Sequence, residues 1–344
     1  MKYINRGGAG ETVAFEPEGQ VKKSMDSSFF RGATVNFNPY RRDVAQPGFL
    51  AKFVLKGWLP PEKPIARDTQ ITAFGSCFAQ NISKHLSEAG FKLTKDSAPS
   101  IYVSYMGEGL VNVHALCQQF EWALEGKKIP EGLWHGWTAE EYGVSEDVRV
   151  ATREAFLGTD FFIVTLGLSE VWYDEQTGEV FWRAVPVDRY DPARHRFRVC
   201  SHAETKGRIE KIYTLIRSNV PNAKVLFTLS PIPLAATFRD VSCLSANSVS
   251  KAILRAALDE FLREHSEDLN VRLLYFPSYE IVNELFYAKY MEDGRHPSGD
   301  IIGLIMKVFQ AAYCDTDLRL EEVEQIYQAA RVKNMREAMN AVGG

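Results

Sequence analysis

Five short apolar runs are separated by longer segments with helical periodicity, beginning at about residue 70. The runs favour β-strands because each is short, apolar and bounded by turn residues; they cover residues 71–74, 100–105, 161–166, 224–229 and 271–276. Apolar positions that recur every three or four residues predict helices over residues 78–89, 111–124, 204–219, 247–266, 279–290 and 298–313. Strands that alternate with helices form a parallel sheet covered on both faces. The pattern therefore predicts an α/β fold, a three-layer α/β/α domain with a parallel five-stranded sheet.

The segments that flank this alternation have other patterns. Residues 1–64 lack sustained periodicity but contain many aromatic side chains, so we expect an N-terminal extended arm packed on the body. Residues 65–314 form the α/β domain, in which residues 171–182 have the pattern of a β-hairpin insertion. Residues 315–344 contain an amphipathic helix, which we expect either to dock on the body or to form a homodimer contact.

Composition excludes several classes of partner. A net charge of −4 over 344 residues gives no basic excess that would attract nucleic acid or an anionic membrane. The five cysteines include no CxxC pair, so neither a disulfide framework nor a thiolate metal site is expected. No apolar run is long enough for a membrane span or a secretion signal. These features predict a cytoplasmic protein that binds no metal.

Candidate chemistry lies where the first strand ends. Ligands of open α/β sheets bind beyond the carboxyl ends of the strands, and there the chain reads Gly75-Ser76-Cys77-Phe78-Ala79. Cys77 would begin a helix, whose N-terminal N–H groups favour a thiolate. Either this thiol is a nucleophile or it is a small apolar side chain in the core.

A second candidate lies near the other end of the domain. In Asp293-Gly294-Arg295-His296 the carboxylate is placed to orient the imidazole of His296 as a general base. Ser248-Val249-Ser250-Lys251 also matches the Ser-x-x-Lys pattern of penicillin-recognising enzymes, but their other motifs are missing. Helix capping with a surface lysine is the alternative explanation of that segment.

The strand-end motif resembles the signature of the GSCFA family, which is similar to the SGNH (GDSL-like) hydrolases. Other segments agree with the resemblance between about residues 36 and 313: 165–172, 227–234, 247–251, 275–280 and 293–298. The resemblance implies an SGNH-like catalytic domain at 65–314 that forms a covalent acyl-enzyme. It implies Cys77 as the nucleophile, with Ser76 as the alternative, and Asp293 with His296 as the base.

The resemblance gives two candidate residues for the oxyanion hole. Its second block falls at Gly109, with Gly107 close behind, and its third block reads Gly167-Leu168-Ser169-Glu170, where the SGNH asparagine is absent. Ser169 is then the candidate donor. The family implies an esterase or O-acyltransferase for an acylated carbohydrate or polysaccharide precursor. We expect no cofactor, and a Cys77 nucleophile, whose acyl-enzyme would be a thioester, favours acyl-CoA as a candidate acyl donor. A non-catalytic ligand- or glycan-binding protein on the same scaffold is the alternative. Four tryptophans near candidate loops are candidates for stacking on a sugar: Trp134, Trp137, Trp172 and Trp182.

Overall fold

The computed structural model describes residues 12–15, 23–26, 36–40, 42–105, 109–128 and 145–343. Numbered along the chain, its strands are β1 (Thr12–Phe15), β2 (Lys23–Asp26), β3 (Gln70–Gly75), β4 (Lys92–Leu93), β5 (Phe161–Leu166), β6 (Glu170–Asp174), β7 (His195–Val199), β8 (Lys224–Leu229) and β9 (Leu273–Phe276). Its α-helices are α1 (Cys77–Glu88), α2 (Thr94–Ser97), α3 (Tyr102–Tyr105), α4 (Val113–Phe120), α5 (Glu146–Leu157), α6 (His202–Asn219), α7 (Cys243–Glu264), α8 (Ser278–Leu285), α9 (Gly299–Tyr313) and α10 (Leu320–Gly343). Shorter helical turns lie at Asp43–Ala45, Leu50–Val54 and Glu121–Glu125.

The central sheet has five parallel strands in the order β4-β3-β5-β8-β9. Helices cover both faces, as two aromatic contacts illustrate. Phe227 of β8 lies 5.8 Å from Phe261 of α7, and Phe276 of β9 lies 5.2 Å from Phe309 of α9. Phe227 is in register with Tyr275, so the next residue, Phe276, points to the opposite face. The predicted three-layer α/β/α fold with a parallel five-stranded sheet is confirmed.

The predicted strand at residues 100–105 is wrong. Tyr102–Tyr105 form the short helix α3, and the ring of Tyr102 packs 5.4 Å from Trp122 and 5.5 Å from Trp182. A buried helical turn is as apolar as a buried strand, so the pattern cannot separate them. The fifth strand of the sheet is instead β4, which has only two residues and pairs with the start of β3.

The predicted hairpin at residues 171–182 forms over a short stretch, and β6 has a second, longer partner that the sequence did not indicate. Strand β6 pairs antiparallel with β7, with Trp172 opposite Phe197. The segment after the turn adds one bridge, between Tyr173 and Val180, and two backbone hydrogen bonds, from the Asp174 N–H to the Glu179 carbonyl and from the Phe181 N–H to the Trp172 carbonyl. Strands β6 and β7 thus form a two-stranded extension beyond the carboxyl end of β5.

The chain divides into two compact units, Met1–Gln46 and Pro47–Gly344. In the first unit, β1 and β2 pair antiparallel, with Thr12 opposite Asp26. The second unit contains the central sheet and every helix from Leu50–Val54 onward. None of the helices that the structure describes is long and apolar enough to cross a membrane.

Both flanks of the sheet domain contact it within the second unit. The Trp58 ring lies 4.8 Å from Tyr275, and Tyr327 of α10 stacks on Phe49 at 5.8 Å. Asn334 of α10 accepts hydrogen bonds from the backbone N–H groups of Tyr287 and Ala288. The boundaries at 64/65 and 314/315 and a homodimer through this helix stay predictions.

Candidate active site

The crevice of the sheet lies between β3 and β5, because the strand order reverses there. The turn after β3 depends on Gly75, whose φ is +138°. A Cβ at this position would lie 2.3 Å from the backbone oxygen of Thr165. A residue with a side chain would therefore push β3 away from β5, and glycine allows the sharp turn into α1.

Ser76 and Cys77 have different environments at this turn. Ser76 is buried, and its Oγ accepts a hydrogen bond from the Phe78 N–H at 3.2 Å, so it caps helix α1. Cys77 is the first residue of the helix, is partly exposed and lines a cavity. Cys77, but not Ser76, is therefore among the described residues that line the cavity.

The cavity beside Cys77 has a volume of about 320 Å³. Its walls come from the start of α4, the loop after β5, strands β6 and β7, the loop after β8, and Arg295. Trp172, Phe197 and Phe238 form an aromatic wall in which the ring of Trp172 lies 4.8 Å from Phe238 and 5.7 Å from Phe197. Trp182 also lines the cavity, but it is buried and its Nε1 donates to Gln118. Trp134 and Trp137 lie outside the described residues.

Asp293 and His296 form a hydrogen-bonded pair in the loop before α9. Asp293 Oδ2 lies 2.5 Å from His296 Nδ1, and Oδ1 accepts from the backbone N–H groups of Arg295 and His296. These bonds, the one from the imidazole first, hold the pKa of Asp293 below its ordinary range. A carboxylate on Nδ1 leaves Nε2 as the basic nitrogen. Arg295, the next residue along the chain, lines the Cys77 cavity, so the loop that bears the pair reaches the cavity wall.

In the turn after β5, three successive backbone N–H groups already have acceptors within the protein. The N–H groups of Gly167 and Leu168 both donate to the Val111 carbonyl at 3.1 Å, and the Ser169 N–H donates to Ser250 Oγ at 2.9 Å. The close approach of Gly167 to Val111 again requires glycine, since a Cβ would lie 2.5 Å from the Val111 oxygen. Three N–H groups that could bind an oxyanion are therefore already occupied.

The two predicted oxyanion residues are both buried. Ser169 Oγ has no hydrogen-bond partner among the described residues. Gly109 lies in a turn next to residues 106–108, which are outside the described part of the chain. The described residues that line the cavity do not include either of them. Asn112 does line the cavity, but its side-chain amide already donates to the carbonyls of Phe181 and Trp182 and so is not available to an oxyanion.

Lys251 is not the surface lysine that the sequence suggested. It is 2% exposed, and its Nζ donates to the carbonyls of Gly167 at 2.7 Å and Ser230 at 2.8 Å. Burial first, and then the positive charge of Arg295, lowers the pKa of Lys251 from 10.5 to about 7. The penicillin-type role for this segment is wrong, since Ser248 is exposed and its hydroxyl bonds to the Leu244 carbonyl within the helix.

Glu170 is a further charged group at the cavity that the sequence did not single out. Its side chain is 4% exposed, and within the described residues neither carboxylate oxygen has a hydrogen-bond partner. The nearest cation is Arg239, whose Nη1 lies 3.9 Å away. Among the described residues that line the cavity, two are cationic, Arg183 and Arg295, and one is a carboxylate, Glu170.

Three side chains with metal-ligand atoms lie close together but are not among the described residues that line the cavity. His114, Cys200 and Glu204 place one ligand atom each within 4.8 Å of one another. The Glu204 carboxylate is already bound by both terminal nitrogens of Arg198, at 2.5 and 2.7 Å, and by the N–H of Ser201. Burial lowers the pKa of His114 to about 4. The Arg198 guanidinium, bound to the Glu204 carboxylate, would repel a metal cation. The cluster is therefore better explained as a buried hydrogen-bond network.

Comparison with known proteins gives one family and remote likenesses among solved structures. A model of the GSCFA family matches residues 70–309. No curated protein matches the chain. Among solved structures, an acetyl xylan esterase from the rumen bacterium Butyrivibrio proteoclasticus aligns at 13% identity with a TM-score of 0.27. That alignment covers 83% of this chain and 66% of the esterase, so the chain spans just under two thirds of that protein.

Proposed function

Since the chain belongs to the GSCFA family, we propose that it is an esterase or O-acyltransferase that works through an acyl-enzyme on Cys77. One observation carries the proposal. The thiol begins a helix on the wall of a cavity, and the loop with the Asp293–His296 pair contributes Arg295 to the same wall. A nucleophile at a helix N-terminus and an oriented imidazole are the two groups that thiol acyl transfer requires.

The first half of the reaction transfers the acyl group to sulfur. The thiol proton passes to His296 Nε2, and the thiolate attacks the acyl carbon. The bond from that carbon to the leaving alcohol or thiol then breaks, and the imidazolium returns the proton to the leaving group. Asp293 keeps the imidazole oriented and stabilises its charged form. The cationic side chains on the cavity wall, Arg183 and Arg295, favour the negative charge that develops on the carbonyl oxygen.

The second half decides between an esterase and a transferase. Water or an acceptor hydroxyl gives its proton to His296 and attacks the thioester, and the carbon–sulfur bond breaks. Because a thioester forms readily by exchange with another thioester, we propose acyl-CoA as a donor for the transferase reaction. The aromatic wall of Trp172, Phe197 and Phe238 supports an acylated carbohydrate as the substrate, since sugar rings stack on such surfaces.

Intact-mass spectrometry after incubation with an aryl acetate or acetyl-CoA tests the nucleophile. We expect the wild type to gain one acetyl group and Cys77→Ala to gain none. Cys243→Ala is the matched control, because Cys243 also follows a capping serine at the first position of a helix. It should be acetylated like the wild type. Ser76→Ala should lose only a helix cap and keep the adduct, and His296→Ala should slow acylation at least about 100-fold.

Three results would contradict parts of this proposal. Normal acetylation of Cys77→Ala with none in Ser76→Ala would make Ser76 the nucleophile. Binding of an acylated glycan without any adduct would instead favour a non-catalytic binding protein. Once the adduct is established, free acid is measured against acylated acceptor, with and without a sugar acceptor. Release of free acid alone, unaffected by the acceptor, would leave an esterase.

A further inference from the structure

The amino group of Lys251 joins the ends of the two central strands. Its acceptors are the carbonyls of Gly167, the first residue after β5, and Ser230, the first residue after β8. Strands β5 and β8 are hydrogen-bonded neighbours as far as the bond from the Ser230 N–H to the Leu166 carbonyl. Among the described residues, no backbone hydrogen bond joins the two segments beyond this one. The Lys251 amino group therefore bridges the strands where their own hydrogen bonding stops.

The two segments whose carbonyls bind Lys251 both continue into walls of the Cys77 cavity. Leu168 and Glu170 follow β5, and Pro233, Leu234, Ala235 and Ala236 follow β8. The neighbouring residue of the same helix adds a second point of attachment, because Ser250 Oγ accepts from the Ser169 N–H. Helix α7 thus holds the turn after β5 by two successive side chains, and the loop after β8 by one of them.

Stability alone gives a poor reason for an amino group at this point. Within the described part of the chain, Lys251 Nζ contacts no carboxylate, and burial and the like charge of Arg295 both lower its pKa. Burying an amino group without an ionic partner is unfavourable. Its depressed pKa means that the group is partly neutral near pH 7. A neutral amine still has two N–H donors, which is the number that the two carbonyls need.

We propose that Lys251 is a positioning residue for acyl transfer at Cys77: it fixes the loops after β5 and β8 and so sets the shape of the cavity in which the acyl group is attacked. This inference rests on the proposed function. Ser250 assists by holding Ser169. Small displacements of such walls slow a reaction strongly, because the acyl carbon must lie within contact distance of the sulfur in one orientation.

Hydrogen exchange measured by mass spectrometry tests the clamp without any substrate. Lys251→Met keeps the length of the side chain and removes the donors, whereas Lys251→Arg keeps donors. Lys206→Met is the matched control, because Lys206 also makes two short polar contacts, to Glu260 and Glu264 on the helix surface. We expect faster exchange in peptides that cover 167–172 and 230–236 for Lys251→Met alone. Unchanged exchange there would overturn the clamp.

Turnover then tests the positioning role at one temperature well below the unfolding transition of every variant. We expect Lys251→Met to lower kcat about 100-fold with little change in KM, a loss that misplacement of reacting groups produces. Lys251→Arg should recover part of this loss, and Ser250→Ala should show a smaller loss of kcat if Lys251→Met fails to fold. Faster exchange with unchanged kcat would refute the positioning role. Absence of Cys77-dependent turnover in the wild type would instead refute the proposed function, and the positioning of acyl transfer with it.

Discussion

Replacing Lys251 with methionine should change stability in a way that depends on pH. Burial lowers the pKa of Lys251 from 10.5 to about 7. At about 1.4 kcal/mol for each tenfold change, this difference corresponds to a penalty of about 5 kcal/mol on the charged form in the folded protein. Methionine has no charge to bury, so its variant carries no such penalty.

The direction of this pH dependence follows from the order in which the folded and unfolded states lose the proton of Lys251. Below pH 7 the lysine is charged in both states, and the full penalty lowers the free energy of unfolding. Between pH 7 and 10.5 the folded protein has released the proton while the unfolded protein still binds it, so the wild type gains stability as the pH rises. Above pH 10.5 both states are neutral and the penalty is gone.

Methionine also leaves the carbonyls of Gly167 and Ser230 without their donor. Each buried group that loses its hydrogen bond costs about 1–3 kcal/mol. This loss does not depend on pH, so it sets the absolute difference between variant and wild type but not its slope. The free energy of unfolding of Lys251→Met minus that of the wild type should therefore be about 3 kcal/mol more positive at about pH 6 than at about pH 9.5.

Urea unfolding followed by circular dichroism at these two pH values measures the difference directly. Other groups that titrate in this range are common to both proteins, so they cancel when the free energy of unfolding of one is subtracted from the other. Lys206→Met provides the control, since Lys206 is paired with two glutamates at the surface. If wild type and Lys251→Met change in parallel with pH, the buried amine does not carry the penalty inferred here.

Two further predictions concern stability elsewhere in the fold. Because burial lowers the pKa of His114 from 6.5 to about 4, the unfolded protein takes up this proton first as the pH falls. The free energy of unfolding should then decrease by about 3 kcal/mol between pH 6.5 and 4. His114→Gln should remove that part of the slope in urea unfolding, and an equal slope in both proteins would contradict the assignment. Gly75→Ala should cost at least about 3 kcal/mol in thermal unfolding, because its Cβ would meet the Thr165 oxygen at 2.3 Å. Gly178→Ala has a positive φ of 73° but open space, so about 1 kcal/mol is expected, and equal losses would show that the contact is relieved.

The parts of the fold that the sequence predicted correctly are those with a strong local signal. Strands β5 and β8 are six-residue apolar runs that end at a glycine and at a serine followed by proline, and buried parallel strands have that composition. Strand β4 has two residues, too few to form a pattern. Strand β7 reads His-Arg-Phe-Arg-Val and lies some twenty residues after its partner, so no turn sequence connects the two. Its pairing depends on tertiary contacts that a local pattern does not contain.

In the candidate site, too, the motifs predicted features formed by near neighbours in the chain and missed features formed by distant segments. The Asp293–His296 bond joins near neighbours in the chain, so a short motif was enough to predict the pair, and the motif after Gly75 was enough to predict that Cys77 begins a helix. The aromatic wall combines side chains from β6, β7 and the loop after β8, so no single segment of the sequence predicts it.

Lys251 shows that a signal for a distant partner can still be present in the sequence. It lies three residues before Leu254 and seven before Leu258, both fully buried, so it falls on the apolar stripe of α7. A lysine on such a stripe is expected either to extend to solvent or to find acceptors inside. In a parallel α/β sheet the free carbonyls nearest a covering helix are those just beyond the carboxyl ends of the strands, where the backbone ladder stops. Lys251 accordingly finds its acceptors just beyond the carboxyl ends of β5 and β8, at the same edge of the sheet where ligands bind.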